Sequence, residues 1–283
     1  MKMSKKRISI VVIALVVIIW NATVYYVDME LEKRSYENVY NSCHKIWTSR
    51  GLYNSHDERN SITSFQRAFD HGATGAEVDF SYDVKMHRFI VGHGHPKPDA
   101  DGNLVYPKKD GQLLTLEVLF ETVGDGHYFW LDYKNLGQLT AEESDEAIVR
   151  LQQISQKGEL DEHLYIEGSN PLKLSRYTEA GFKTILGIHP LPEEHLLSGI
   201  TRSAYKLAYY FSNTTAMAMP YAKHGKAIYG NTGRDDFGLI PVFLFHVADE
   251  EELLLKLVQQ QEVRVILAGR DISIDRFEIN SCQ

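Results

Sequence analysis

The chain predicts an α/β fold: a closed (β/α)8 TIM barrel preceded by a single N-terminal transmembrane helix. Three observations carry that reading. After residue 42, short apolar runs alternate with amphipathic stretches, and alternating β and α units imply a parallel sheet. Eight such units fit the remaining length, close to the ~250 residues usual for one barrel. Ahead of them, Ile8 to Trp20 is almost purely aliphatic and follows Lys5, Lys6 and Arg7. An open doubly wound sheet is the alternative, but no Gly-rich phosphate loop follows the first strand.

Residues 1–7 form a basic segment and 8–27 an apolar span of about 20 residues, enough to cross a bilayer once. Basic residues before the span place the N-terminus in the cytoplasm and the barrel in the periplasm or another non-cytoplasmic space. The cleavage cue is poor, so an uncleaved signal anchor is favoured over a signal peptide; both export the domain. Residues 28–42 are polar and read as a linker, and 43–283 as the barrel. Export permits a disulfide between Cys43 and Cys282, against two separate buried thiols.

Within the barrel domain, the strands are predicted at 44–49, 74–80, 128–133, 163–166, 182–188, 216–219, 240–246 and 263–268, with an additional strand at 89–91. Helices are predicted at 60–71, 114–123, 142–156, 172–180, 201–212 and 250–261. Ile62, Phe65, Ala68 and Phe69 recur at helical spacing in the first of these, and Gly72 ends it. A polar loop from Gly94 to Gln112 either covers the barrel mouth or is an exposed insertion.

Composition narrows the partners. The chain of 283 residues is 43% hydrophobic and 24% charged, an ordinary globular mixture. Its first seven residues hold four cations and no acid, so a total of −8 leaves −12 on the rest, which argues against nucleic acid. A small phosphate ligand would then need local cations or a metal.

Active sites of such barrels lie at the C-terminal ends of the strands. Ser49 and Arg50 end the first predicted strand, Glu77 and Asp79 the second, Asp132 and Lys134 the third, Glu167 the fourth and His246 the seventh. Side chains alternate along a strand, so Glu77 and Asp79 share a side. Three carboxylates suit Mg2+ or Ca2+ better than zinc. Arg50 and Lys134 suit phosphate oxygens. Glu167 stands between a supporting role and solvent. Tyr209, Tyr210 and Phe211 offer either an apolar wall for lipid or helical core.

The run Ser49-Arg50-Gly51, Glu58-Arg59-Asn60-Ser61, Gly75-Ala76-Glu77-Val78-Asp79, Ile90-Val91-Gly92-His93, Leu114-Thr115-Leu116-Glu117 and Leu131-Asp132-Tyr133-Lys134 resembles the glycerophosphodiester phosphodiesterase superfamily. That superfamily includes phospholipase C-like and sphingomyelinase D-like enzymes. The resemblance implies a TIM barrel, a divalent metal held by Glu77, Asp79 and Asp132, phosphate contacts from Arg50 and Lys134, and His93 as one of two acid/base histidines. It implies hydrolysis of glycerophosphodiesters or lysophospholipid-like substrates, with the anchor holding the barrel near lipid. Asp at position 132 is nearer the sphingomyelinase D-like pattern than the usual Glu. The first histidine of the pair is replaced by Ser49, which cannot accept a proton near neutrality without its own base. His56, His95 and His246 are the candidate substitutes. Two alternatives remain: a catalytically impaired barrel that binds metal and phosphodiester without turnover, and an anchored interaction protein with no ligand.

Overall fold

In the computed structural model, the described residues are 5–94, 96–100 and 104–268, with side chains described from residue 9 onward. Helix α1 (Lys5–Leu31) is followed by β1 (Ile46–Ser49), α2 (Ile62–Asp70), β2 (Gly75–Asp83) and β3 (Arg88–Val91). A small hairpin, β4 (Lys97–Pro98) and β5 (Leu104–Val105), leads into α3 (Leu116–Val123), β6 (Tyr128–Tyr133) and α4 (Ala141–Lys157). Next come β7 (Leu164–Gly168), α5 (Pro171–Glu179), β8 (Lys183–Gly187), α6 (Ser198–Ser212) and β9 (Ala216–Pro220). A second hairpin, β10 (Ala222–Lys223) and β11 (Lys226–Ala227), precedes α7 (Asn231–Phe237), β12 (Val242–Phe245), α8 (Glu251–Val258) and β13 (Val263–Ala268). Cys282 and His95 lie outside the described residues.

Eight parallel strands close on themselves in the order β1-β2-β6-β7-β8-β9-β12-β13. Closure is made by β1, which pairs with β13 through Ile46↔Ile266 and with β2 through Ser49↔Glu77. This is the TIM barrel the alternation implied.

Strand β2 runs on to Asp83, past the predicted end at Phe80, because its upper half pairs antiparallel with β3 from Phe80↔Val91 to Asp83↔Arg88. Helix α7 has no counterpart in the sequence reading. Its Gly and Asp content gives it little intrinsic helicity. It is held from outside: the Glu193 carboxylate accepts the backbone N–H of Gly230 at 3.0 Å and that of Gly233.

Chain entry to the barrel mouth is tightly shaped. Arg50 and Gly51 both take left-handed backbone, at φ 64° and 78°. A Cβ on Gly51 would come within 2.5 Å of the Ser64 backbone at the start of α2. Ser61 and Ser64 cap α2 reciprocally, at 3.1 and 3.2 Å.

The lower half of the barrel interior is aromatic. Trp47, Trp130, Tyr165 and Phe243 are fully buried there. Gly75 has no Cβ because the Trp47 ring lies where one would go, 2.5 Å away. The segment 28–42, expected as a linker, is part of this packing. Val39 and Tyr40 are buried against the same cluster and close the lower end. The Tyr40 backbone N–H donates to the Tyr165 hydroxyl at 2.7 Å, and its own hydroxyl donates to His44 O at 2.7 Å. Polar neighbours on both sides, Glu37-Asn38 and Asn41-Ser42, conceal these two buried positions at sequence level.

Helix α1 is long and apolar enough over Ser9–Leu31 to cross a membrane. Its last turns dock on the barrel: Val27 and Leu31 are buried, and Asp28 pairs with Lys206 of α6 at 2.6 Å.

Tyr40→Ala should lower stability by about 3–5 kcal/mol, the range for truncating a buried aromatic ring. Chemical denaturation of the full chain measures it. A loss under about 1 kcal/mol would show that the segment before β1 is only a tether.

Candidate active site

The acids predicted at strand ends converge by register. Asp79 of β2 pairs with Asp132 of β6, and Asp132 with Glu167 of β7, so three carboxylates stand abreast on adjacent strands. Glu77 lies one inward step lower, beside Ser49 of β1. Ligand oxygens of Glu77, Asp79 and Asp132 all fall within 4.8 Å of one another.

Asp79 is the centre of the arrangement and is 0% exposed. Asn60 grips it twice: its side-chain N–H donates to Asp79 Oδ2 at 2.7 Å, and its side-chain oxygen accepts the Asp79 backbone N–H at 3.1 Å. Arg50 Nε lies 2.7 Å from Asp79 Oδ2 and 3.8 Å from Glu77 Oε2. Lys134 Nζ lies 2.5 Å from Asp79 Oδ1 and also pairs with Asp132. Burial opposes ionisation of Asp79, but Lys134 and Arg50 outweigh it and hold this carboxyl below its usual range. Burial first, then Asp79 and Asp132, pushes Glu77 well up. Asp132 is also raised, by burial and by Asp79, against the pull of Lys134.

Glu167 has a third environment. Trp130 Nε1 donates to its Oε2 at 2.6 Å, and Gly187 leaves room for its Oε1. Burial and then Asp132 push it up to about 8.

Ser49 points its hydroxyl at Glu77 Oε2, 2.7 Å away, and donates to it. The contact ties Ser49 to Glu77 and not to an imidazole.

A cavity of about 560 Å³ opens above this cluster. Ser49, Arg50, Asp132 and Lys134 line one side together with His93, while His189 and His246 stand on the β8 and β12 side. Burial, His189 and Arg50 together lower the pKa of His246, so it is largely neutral near pH 7. His56 is exposed in a short turn and does not line the cavity. His189 was not singled out from sequence, although it follows a predicted strand end directly, where mouth residues are expected. Asn60 stands in the resembling run and at a predicted helix start, with no role assigned; its left-handed φ of 57° and buried amide are invisible in one sequence.

Two alternatives that the sequence leaves open are narrowed. No described residue of the loop from 94 to 112 lines the cavity: Tyr106 donates to Asp83 Oδ2 at 2.6 Å, Lys109 donates to Asp57 O at 3.0 Å and Asp110 accepts from Thr63. Tyr209, Tyr210 and Phe211 stand at the lower end of α6, so they form no lipid wall at the mouth. A second concavity, about 820 Å³, lies between α3 and α4 and contains none of the clustered acids; the Arg150–Glu117 and Lys157–Glu121 pairs flank it.

The three-carboxylate cluster fits a divalent cation. All its donors are hard oxygens. With Glu167 there are four acids facing, among the described residues, the cations Arg50 and Lys134, so two negative charges remain in that set when all are ionised. The raised Glu77, Asp132 and Glu167 are the expected consequence of crowding these acids in a dry site.

No protein-family model matches the chain, and no curated protein matches it in sequence. Solved structures do share its fold. A glycerophosphodiester phosphodiesterase from Thermotoga maritima aligns with a TM-score of 0.54 and 18% identity over 82% of this chain and 96% of that one. One from Parabacteroides distasonis aligns with a TM-score of 0.56 and 15% identity, over 80% and 92%. A phosphodiesterase from Oleispira antarctica, solved with the product sn-glycerol-3-phosphate, aligns with a TM-score of 0.56 and 14% identity, over 80% and 92%. At these identities the likeness is one of fold.

Burial and the neighbouring Asp132 hold the Glu167 carboxyl above its ordinary range in the folded protein. Its contribution is therefore present at low pH and lost as pH rises through about 8. Metal-free protein should melt at progressively lower temperature from about pH 5 to about pH 8.5, and Glu167→Gln should reduce that slope. An unchanged slope in the variant would remove Glu167 from the account.

Proposed function

We propose that the protein is a divalent-metal-dependent phosphodiesterase acting on glycerophosphodiesters or lysophospholipid-like substrates. The observation that carries this reading is the buried Glu77, Asp79 and Asp132 cluster, flanked by Arg50 and Lys134 at the mouth of a barrel. The fold shared with glycerophosphodiester phosphodiesterases supports it, as does a relative holding sn-glycerol-3-phosphate.

Glu77, Asp79 and Asp132 would hold Mg2+ or Ca2+, which when bound supplies Lewis-acid polarisation and neutralises charge on the phosphoryl group. Arg50 and Lys134 would orient the phosphate through N–H donors. Proton movement needs an acceptor for the nucleophile's proton and a donor to the leaving alcohol. His93 would serve on the β2–β3 side. Neutral His246, with His189 beside it, would serve on the opposite side. Ser49 would position Glu77 through its hydrogen bond.

A second reading is a barrel that binds metal and phosphodiester without turnover. It is favoured by one observation: serine, tied to a carboxylate, sits where the sequence resemblance calls for histidine.

Kinetics separate the two. Purified full-length protein with Mg2+ or Ca2+ should hydrolyse glycerophosphocholine, and Asp132→Asn should lower kcat/KM by more than about 100-fold together with calorimetric metal affinity. Binding without turnover in the wild type selects the second reading; neither binding nor turnover overturns both.

His93→Ala and His246→Ala should each lower kcat by about 10²–10⁴-fold, while His56→Ala should leave it unchanged. Full activity in His246→Ala and His189→Ala alike would contradict acid/base work from the β8–β12 side.

A further inference from the structure

The docking of α1 carries information about where the site faces. In a (β/α)8 barrel the helices run against the strands, so the last turn of α6 and the start of β9 lie at the closed lower end. The hydroxyl of Tyr209 donates to Thr215 O there. Helix α1 meets α6 at this end, where the Tyr26 and Tyr210 rings pack edge to face at 6.1 Å; Arg34, three residues past the end of α1, also lies over Tyr210, at 4.8 Å. One turn higher on α6, Lys206 pairs with Asp28. Contacts thus progress up α6 as α1 progresses forward, so the two helices run in opposite senses. Residues before Tyr26 project below the barrel. Their aliphatic side chains from Ile10 to Ile19 are exposed. At the junction Tyr25 is 68% and Phe211 66% exposed, a ring pair suited to a membrane–water interface. After Leu31 the chain turns under the barrel and is locked there by Val39 and Tyr40, which leaves little slack to reorient it.

We propose that α1 holds the barrel with its closed lower end toward the bilayer and its mouth turned away, so that the site takes phosphodiesters from the aqueous phase and not from its own membrane. The substrate half rests on the phosphodiesterase reading; the orientation does not. Helix α6 spans 15 residues, so its upper end stands about 22 Å from its lower one. Another exposed apolar group, Leu196 (94% exposed) with Leu197 and Ile200, lies at that upper end. The Tyr25–Phe211 junction and this rim cannot both sit at one interface while α1 remains docked.

Energy transfer reads the orientation without any activity. A donor fluorophore carried on an introduced azido side chain at position 196, or at position 159 in the lower α4–β7 loop, is paired with acceptor-headgroup lipids in vesicles holding the full-length protein. Transfer from 159 should clearly exceed transfer from 196. Equal or reversed transfer, or failure of the full chain to associate with vesicles, overturns the proposal. In the same vesicles glycerophosphocholine in bulk should be hydrolysed, and lysophosphatidylcholine in the bilayer should not be until detergent extracts it. Rapid hydrolysis of the bilayer lysolipid overturns the substrate half. Hydrolysis of neither, with asymmetric transfer intact, overturns the phosphodiesterase reading and leaves the orientation standing.

Discussion

A carboxylate at Asp79 is removed from water entirely, and the site is organised around keeping it charged. An isolated buried carboxylate would cost several kcal/mol and would protonate instead. Three contacts to the carboxylate prevent this, one each from Asn60, Arg50 and Lys134. Each comes from a different part of the chain, and each forces local structure. Arg50 and Asn60 both take left-handed backbone to reach Asp79. The link between them is direct, since the Asn60 N–H donates to Arg50 O at 3.2 Å. Lys134 arrives at the end of β6, and its backbone N–H is fixed by Phe80 O at 2.9 Å. Strain at the end of β1 is thus the cost of ionising one acid at the mouth.

The chain divides its work between the two ends of the barrel. Below, fully buried rings from β1, β6, β7 and β12 fill the interior, with Tyr40 closing them from beneath. Above, the same strands end in Ser49, Asp132, Glu167 and His246. Trp130 belongs to both: its ring packs on Phe243 at 5.2 Å while its N–H fixes Glu167. A side chain that anchors the core also orients an acid of the site, so the two functions share a rigid element and not a loop.

Much of this was legible in sequence where a period or a strand end carried it. The strands at 128–133 and 263–268 fall where the apolar runs place them. Glu77 and Asp79 share a side because strand period is two, and Asp132 joins them because β6 is the next parallel neighbour of β2. What depended on contacts between distant segments was not legible. Asn60 looks like an ordinary helix start, α7 owes its N-terminus to Glu193, and the inward turn of Tyr40 depends on Tyr165, 125 residues away. His189 directly follows the strand predicted at 182–188, so the strand-end rule alone places it at the mouth.

A crystal structure of the protein grown with Mn2+, using anomalous scattering to locate the ion, tests the central claim most directly. One ion should appear among Glu77, Asp79 and Asp132, bonded to oxygens from all three at about 2.0–2.6 Å. Lys134 bridging Asp79 and Asp132 with no ion between the three acids, at millimolar Mn2+, would contradict it and leave the cluster an internal ion-pair network.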